Sequence, residues 1–222
     1  MGNIYLFGDQ TIQVDDALHK LLHVKDNPIL KSFLDEAFAA VRKQIFLLPA
    51  NERASLPDAH TFPLLLDAVR AGQRHVALES ALVCLCEIGQ YIGLVASCIS
   101  IPPYSSMHRL LQTTDLSYAS TGSILVGLCT GSLAAAAVSC AQTSIDLLTL
   151  GIEAVVVAFR VGMHAARRAK TLVGEGALQW KPWSVAVAGL SELNAENMLE
   201  TFMRDQVSGR HSINTHDADT LS

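Results

Sequence analysis

The order of apolar segments predicts an α/β protein in which a short parallel sheet is outweighed by helix. Two observations carry this. Short β-prone runs at residues 4–7 and 123–127 each lead into a glycine turn, and long stretches between and after them repeat apolar residues at helical spacing. The chain has 222 residues, 50% of them apolar, which is enough to bury one sizeable core. No internal repeat is visible. Residues 1–206 read as one domain and 207–222 as a disordered tail.

Ile4 to Phe7 is a first strand that Gly8-Asp9 turns into a loop. Over 28–48 the positions Ile29, Phe33, Phe38, Val41, Ile45 and Leu48 recur at helical spacing, so an amphipathic helix is expected there. Residues 51–57 are a polar break. Helices follow at 61–71 and 76–99, the second apolar on most faces and therefore packed on both sides. Pro102 and Pro103 end it. Beyond a polar loop at 112–120, Ser123-Ile124-Leu125-Val126-Gly127 suits a buried strand, and the Ala-rich run 132–138 suits a helix. A longer helix over 144–170 ends in Arg167, Arg168 and Lys170, cations favoured at a helix C-terminus. Gly174 and Gly176 close that unit. A further strand at 180–187 and a helix at 195–206 are expected before the polar tail.

A net charge of −5 and a pI near 5.9 leave no overall basic field, which argues against nucleic acid as a partner. The mean hydropathy of +0.31 calls for a check on membrane spans. The greasy run 81–101 holds Glu87 and Gln90, and 145–163 holds Asp146, Glu153 and Arg160. Each charge costs about 3 kcal/mol at the centre of a bilayer, so both runs read as core helices and no membrane partner is expected. The N-terminus lacks the basic flank and apolar stretch of a secretory signal, and Leu6 stands where a myristoylation signal wants Ser or Thr. A cytoplasmic location is the expectation. Five cysteines at irregular spacing, four of them (Cys84, Cys86, Cys98 and Cys140) in runs that read as buried helix, argue against a disulfide framework.

Chemistry concentrates in Gly127-Leu128-Cys129-Thr130-Gly131. Gly-x-Cys-x-Gly between a strand and a helix is the thiol form of the Gly-x-Ser-x-Gly nucleophile elbow. The glycines leave room for a strained turn and for close packing of strand on helix. The helix that follows points its positive end at Cys129, which favours a thiolate, and the Thr130 backbone N–H is placed to donate to a developing oxyanion. A structural cysteine buried in a Gly-lined turn is the alternative reading.

The run Gly127-Leu128-Cys129-Thr130-Gly131-Ser132-Leu133-Ala134-Ala135-Ala136-Ala137, with Tyr5-Leu6-Phe7-Gly8-Asp9-Gln10 and Cys86-Glu87-Ile88-Gly89-Gln90-Tyr91-Ile92, resembles the starter-unit acyl-carrier-protein transacylase domain of fungal non-reducing polyketide synthases. That domain is related to malonyl-CoA transacylases and uses Cys where they use Ser. The resemblance runs to about Asp205. It implies an acyltransferase-like (α/β-hydrolase-like) lobe, with the small ferredoxin-like subdomain absent or incomplete. It further implies that Cys129 is the acylated nucleophile and that the amides of Gln10 and Thr130 form the oxyanion hole. Taken alone, the Phe7-to-Gln10 segment is a strand-to-loop turn.

The chain departs from the family downstream. The family's general base is a His in a Tyr-His-x-x-His-like segment after the small subdomain, and nothing after Asp205 matches it. His211 and His216 sit in a polar tail without apolar context, and His108 and His164 read as ordinary histidines in or beside helices. The expectation is a chain cut short before the catalytic His region, holding the nucleophile half of a two-part site. General-base assistance contributes about 10²–10⁴ in rate, so turnover without it is impaired.

Malonyl-type relatives hold a carboxylate with an Arg on the helix after the elbow, a position near 153–155 here, where no cation stands. An uncharged acyl group in an apolar pocket lined from this helix fits better. Arg160, two turns beyond, reads as a surface charge. Arg160, Arg167, Arg168, Lys170 and Lys181 against Glu175 make a local positive excess. It reads either as a docking patch for an acidic carrier protein or the phosphates of coenzyme A, or as a solvated helix end. Cys84-x-Cys86 cannot face one metal from a helix, so no metal is expected, and Gly174-x-Gly176 lacks the context of a dinucleotide loop.

The expected chemistry is ping-pong acyl transfer with no resident cofactor. Cys129 takes a starter acyl group from acyl-CoA or an upstream carrier and yields it to the phosphopantetheine thiol of an acyl carrier protein. A catalytically inactive remnant that binds synthase or carrier domains is the alternative from another class, and a thioesterase on the same elbow is the third.

Overall fold

The computed structural model describes residues 4–8, 14–24, 26–98 and 123–173, with single residues between 191 and 204. Two compact units divide the chain, Met1–Gly176 and Ala177–Ser222. Gln10, Pro102 and Pro103, the strand expected at 180–187 and the tail from 207 lie outside the described residues.

In the first unit, strand β1 (Ile4–Phe7) pairs in parallel with β2 (Ile124–Gly127), in the register Ile4 with Ile124 through Phe7 with Gly127. Helices α1 (Asp15–Leu22), α2 (Pro28–Phe46), α3 (Ala50–Arg53), α4 (Phe62–Arg70) and α5 (Val76–Cys98) lie between the strands in sequence. Helices α6 (Gly131–Cys140) and α7 (Ser144–Val173) follow β2. This is the α/β order expected, with helix dominant.

Local chemistry sets the helix ends. Asn27 caps α2 by accepting from the Leu30 N–H at 2.9 Å, and Pro28 occupies the first turn, where its missing N–H costs nothing. Thr61 caps α4 through the Leu64 N–H at 3.4 Å. At the head of α7, Thr143 and Asp146 cap each other: the Thr143 N–H donates to Asp146 Oδ2 at 2.9 Å and the Asp146 N–H to Thr143 Oγ1 at 3.1 Å.

Helix α5 is the centre of this unit. Ala77, Leu78, Leu82, Leu85, Ile88 and Ile92 are among its buried side chains, and it packs against α1, α2, α6 and α7. Each large side chain so buried contributes about 1.5–3 kcal/mol. Helix α7 lies along α5, and where they cross Gly162 rests on Ala77. Higher up, Gly151 admits Phe33 of α2 and Ile88 of α5, whose side-chain carbons would stand 3.0 and 3.1 Å from a Cβ. The stretch Val76–Val95 is long and apolar enough to cross a membrane, and most of it is buried inside the fold.

Four expectations need correction. A short helix, α3, interrupts the polar break at 51–57, and α1 forms where no element is expected. Leu18 and Leu21 of α1 bury themselves in the core, while Asp16 meets Arg70 at 3.1 Å and Asp15 meets Arg74 at 3.3 Å. The strand β2 is not buried: Ile124 and Val126 are exposed, as are their β1 partners Ile4 and Leu6. One sheet face packs inward through Phe7, Tyr5 and Leu125, and the other is open. Cys140, at the end of α6, is exposed rather than buried.

In the second unit, helical backbone is described at Asn194, Glu196, Asn197, Glu200, Thr201 and Arg204, within the helix expected at 195–206 save for Asn194. The Thr201 hydroxyl donates to the Asn197 carbonyl at 2.8 Å, one helical turn back.

Candidate active site

The turn between β2 and α6 has three layers of constraint. Leu128 donates its N–H to the Phe7 carbonyl at 3.0 Å, continuing the sheet one residue past the strand. The Gly131 N–H bonds the Leu128 carbonyl at 2.9 Å and the Ser132 N–H the Cys129 carbonyl at 3.1 Å, closing two tight turns around the thiol residue. Cys129 itself adopts φ +53°, in the left-handed region. A non-glycine residue held there stores about 1–3 kcal/mol of strain and stays only where its surroundings over-determine it.

The two glycines provide those surroundings. A Cβ on Gly127 would lie 2.6 Å from the Gly131 oxygen and 2.6 Å from the Ser132 Cα, so strand and helix meet there without space for a side chain. A Cβ on Gly131 would overlap the Gly8 carbonyl oxygen and approach the Phe7 carbonyl carbon at 2.6 Å. The end of β1 is thus pressed onto the start of α6.

Cys129 is exposed on this elbow, whereas Cys84 and Cys86 are buried on α5. Burial, aided by the negative charge of Glu87, pushes both of their thiols up to about 12. A buried structural role therefore describes Cys84 and Cys86 and not Cys129. Thr130 is 8% exposed, and among the described residues none of the hydrogen bonds that close the turn uses its N–H. Cys129, Thr130, Gly127 and Gly131 share the one turn between β2 and α6, while Gln10 lies outside the described residues. Among the histidines, His164 is exposed on α7, and His108, His211 and His216 fall outside the described residues.

Sequence reading passed over two contributors. Gly8 supplies the carbonyl against which Gly131 seats, and Ser132 donates its hydroxyl to the Gly127 carbonyl at 3.2 Å. A Ser in the first turn of a helix is a visible signal for such a bond. The contact with Gly8 joins residues far apart in sequence and carries no local mark.

The cations of α7 divide. Arg160 Nε donates to Gln44 Oε1 of α2 at 3.0 Å. Arg167 grips Glu52 of α3 with two bonds, Nε to Oε1 at 2.9 Å and Nη2 to Oε2 at 2.7 Å. That pairing holds the Glu52 carboxyl below the usual carboxylate range. Both arginines tie helices together. Arg168 and Lys170 are exposed on the same helix end.

On α7, in the 153–155 stretch where no cation stands, Ala154 and Val155 are buried in the core. A cleft of about 290 Å³ lies between β1, α1 and α5, with Tyr5, Gly8, Val14, Glu87, Gln90 and Leu94 on its walls.

Strand, strained cysteine turn and helix, seated on a parallel neighbour strand, define a mostly helical α/β protein. Residues 5–214 match the family described as starter unit:ACP transacylase in aflatoxin biosynthesis, and the chain belongs to that family. It is 71% identical over all 222 residues to the non-reducing polyketide synthase aoiG of Aspergillus oryzae, of which it covers 10%. It is 42% identical over 205 residues, 92% of the chain, to the bikaverin polyketide synthase bik1 of Gibberella fujikuroi, covering 9% of that protein. Against the conidial yellow pigment biosynthesis polyketide synthase of Emericella nidulans the identity is 35% over 222 residues, 99% of the chain and 10% of the relative. The chain spans about a tenth of the length of the curated relatives it matches.

Proposed function

We propose that the chain transfers a starter acyl group to an acyl carrier protein in fungal polyketide biosynthesis, through a thioester on Cys129. The observation that supports this most is an exposed cysteine held at positive φ on a strand–helix elbow, in a chain of the starter-unit transacylase family.

The first half-reaction joins the Cys129 sulfur to the thioester carbonyl carbon of an acyl-CoA or an acylated upstream carrier. The carbonyl oxygen becomes an oxyanion, for which the Thr130 N–H at the head of α6 is the donor, with the Gln10 amide as its companion. The carbon–sulfur bond of the donor breaks, and the departing sulfur takes up the proton that Cys129 gave away. In the second half-reaction the phosphopantetheine thiol attacks the same carbonyl. The bond to Cys129 breaks and its sulfur recovers the proton lost by the carrier thiol, so the cycle consumes no water and needs no resident cofactor.

The lack of a cation at 153–155, where a dicarboxylate-binding relative has its Arg, favours an uncharged acyl group. Arg168 and Lys170 are the cations proposed to meet an acidic carrier or the phosphates of coenzyme A. Arg160 and Arg167 already hold Gln44 and Glu52.

Intact-mass spectrometry tests the reading. The chain is mixed with acetyl-CoA or a longer acyl-CoA, then with a phosphopantetheinylated carrier protein. A label on Cys129 that moves to the carrier supports transfer, and Cys129→Ala abolishes it. A label lost to water makes the protein a thioesterase. A chain that takes no label is a binding remnant.

A further inference from the structure

We propose that Ser132 is a positioning residue for Cys129, its hydroxyl serving as a clamp across the elbow; this rests on the reading of Cys129 as nucleophile. Ser132 makes two bonds that bracket the thiol residue. Its backbone N–H takes the Cys129 carbonyl at 3.1 Å, and its side-chain Oγ donates to the Gly127 carbonyl at 3.2 Å. The carbonyls on both sides of Leu128 and Cys129 are therefore held by one residue of α6.

Geometry gives this residue leverage. Gly127 and Ser132 approach so closely that a Cβ on Gly127 would lie 2.6 Å from the Ser132 Cα. Strand end and first helical turn are in contact, yet among the described residues Ser132 Oγ is the side-chain atom that bonds across that contact. Among the described residues the head of α6 has no other side-chain tie, and Thr130, at its N-cap position, makes no capping hydrogen bond. A left-handed Cys129 is released to relax when one of its few restraints is removed, and the sulfur moves with it. The hydroxyl is exposed and lies off the hydrophobic core, so its removal changes the turn more than the fold.

The test measures alkylation of Cys129 by iodoacetamide in the full 222-residue chain, in a Cys98→Ser, Cys140→Ser background that leaves Cys129 as the exposed thiol among the described residues. Ser132→Ala is expected to slow Cys129 alkylation about three- to tenfold, the loss of one hydrogen bond. Ser132→Thr keeps a hydroxyl and is expected to restore the parent rate to within about twofold. Melting curves of both variants accompany the rates. A Ser132→Ala rate equal to that of the parent overturns the clamp. Equal slowing in the Thr and Ala variants overturns it as well, because the hydroxyl would then be irrelevant. If Ser132→Ala fails to fold, the comparison of Ser132→Thr with Ser132→Val decides in the same way, by whether the hydroxyl alone sets the rate. Alkylation needs no acyl donor, so a chain that alkylates normally but accepts no acyl group sinks the transfer reading and leaves the clamp measurable.

Discussion

Gly162 of α7 lies on Ala77 of α5 so closely that a Cβ there would stand 2.5 Å from the Ala77 Cα and 3.1 Å from the Ser80 Oγ. The two longest helices of the core cross at backbone contact. Gly162→Ala gains about 1 kcal/mol of helix propensity. It also forces the helices apart, and overpacking of this kind costs about 1–3 kcal/mol. Because the obstructing atom is backbone and cannot rotate away, the net expectation is a lower melting temperature. A Gly162→Ala chain that melts no lower than the parent would show that the crossing has slack.

The elbow makes a sharper prediction. Gly131→Ala drives a methyl into the Gly8 carbonyl at the junction of β1 and α6. Cys129 reactivity toward iodoacetamide should fall at least tenfold, roughly the effect of about 1.4 kcal/mol, while helix content by circular dichroism stays near that of the parent. Retained reactivity would mean that the seat of α6 on β1 does not govern the thiol.

His75 carries a pH dependence. Its Nδ1 accepts the Ala77 N–H at 3.1 Å just ahead of α5, which requires a neutral ring. Burial first, then the Lys170 charge, lowers its pKa, and Glu52 opposes them only in part. The unfolded chain therefore takes up this proton at higher pH than the folded one. The contribution of His75 is complete above about pH 6.5 and is lost as the pH falls below that value toward the lowered folded pKa. The urea midpoint should drop between about pH 7.5 and about pH 5.5, and His75→Asn, which keeps an acceptor without titrating, should flatten that drop. An identical pH dependence in His75→Asn would assign the effect to other groups.

Docking on the end of α7 is tested with Arg168→Glu combined with Lys170→Glu, leaving the Arg167 pair with Glu52 in place. Carrier binding should weaken about three- to tenfold at about 50 mM salt, and the difference should vanish near 1 M. Equal binding at both salt concentrations would remove this helix end from the interface.

The open sheet face predicts self-association. Ile4, Leu6, Ile124 and Val126 stand on one side of a parallel pair, and parallel sheets are usually covered on both faces. The isolated chain should bind the dye ANS and elute in part as larger species. Leu6→Lys with Val126→Lys should reduce both signals. Undiminished dye binding in that variant would point to another apolar surface.

Much of this arrangement was legible in the residues because its causes are local. The helices at 28–46, 62–70 and 76–98 show their apolar period, and the Gly-x-Cys-x-Gly turn is five consecutive residues whose glycines state their own reason. What escaped is decided at a distance. Helix α1 has only eight residues, and it is held by Leu18 and Leu21 in the core and by arginines 54 and 59 residues away. Its acidic first turn and basic last turn were the available signal. The exposure of β2 escaped because an apolar run reads the same whether or not something covers it. Arg167 looked like an open cation because Glu52 lies 115 residues upstream.

Cys84 and Cys86 carry one more consequence. Their sulfurs sit in the middle of the helix around which the first unit is built, and with thiols near 12 they remain unreactive at neutral pH while that helix is in place. A disulfide dye offered to the native protein will find them only when α5 comes loose, so the slow phase of its colour change clocks how often the interior breathes open.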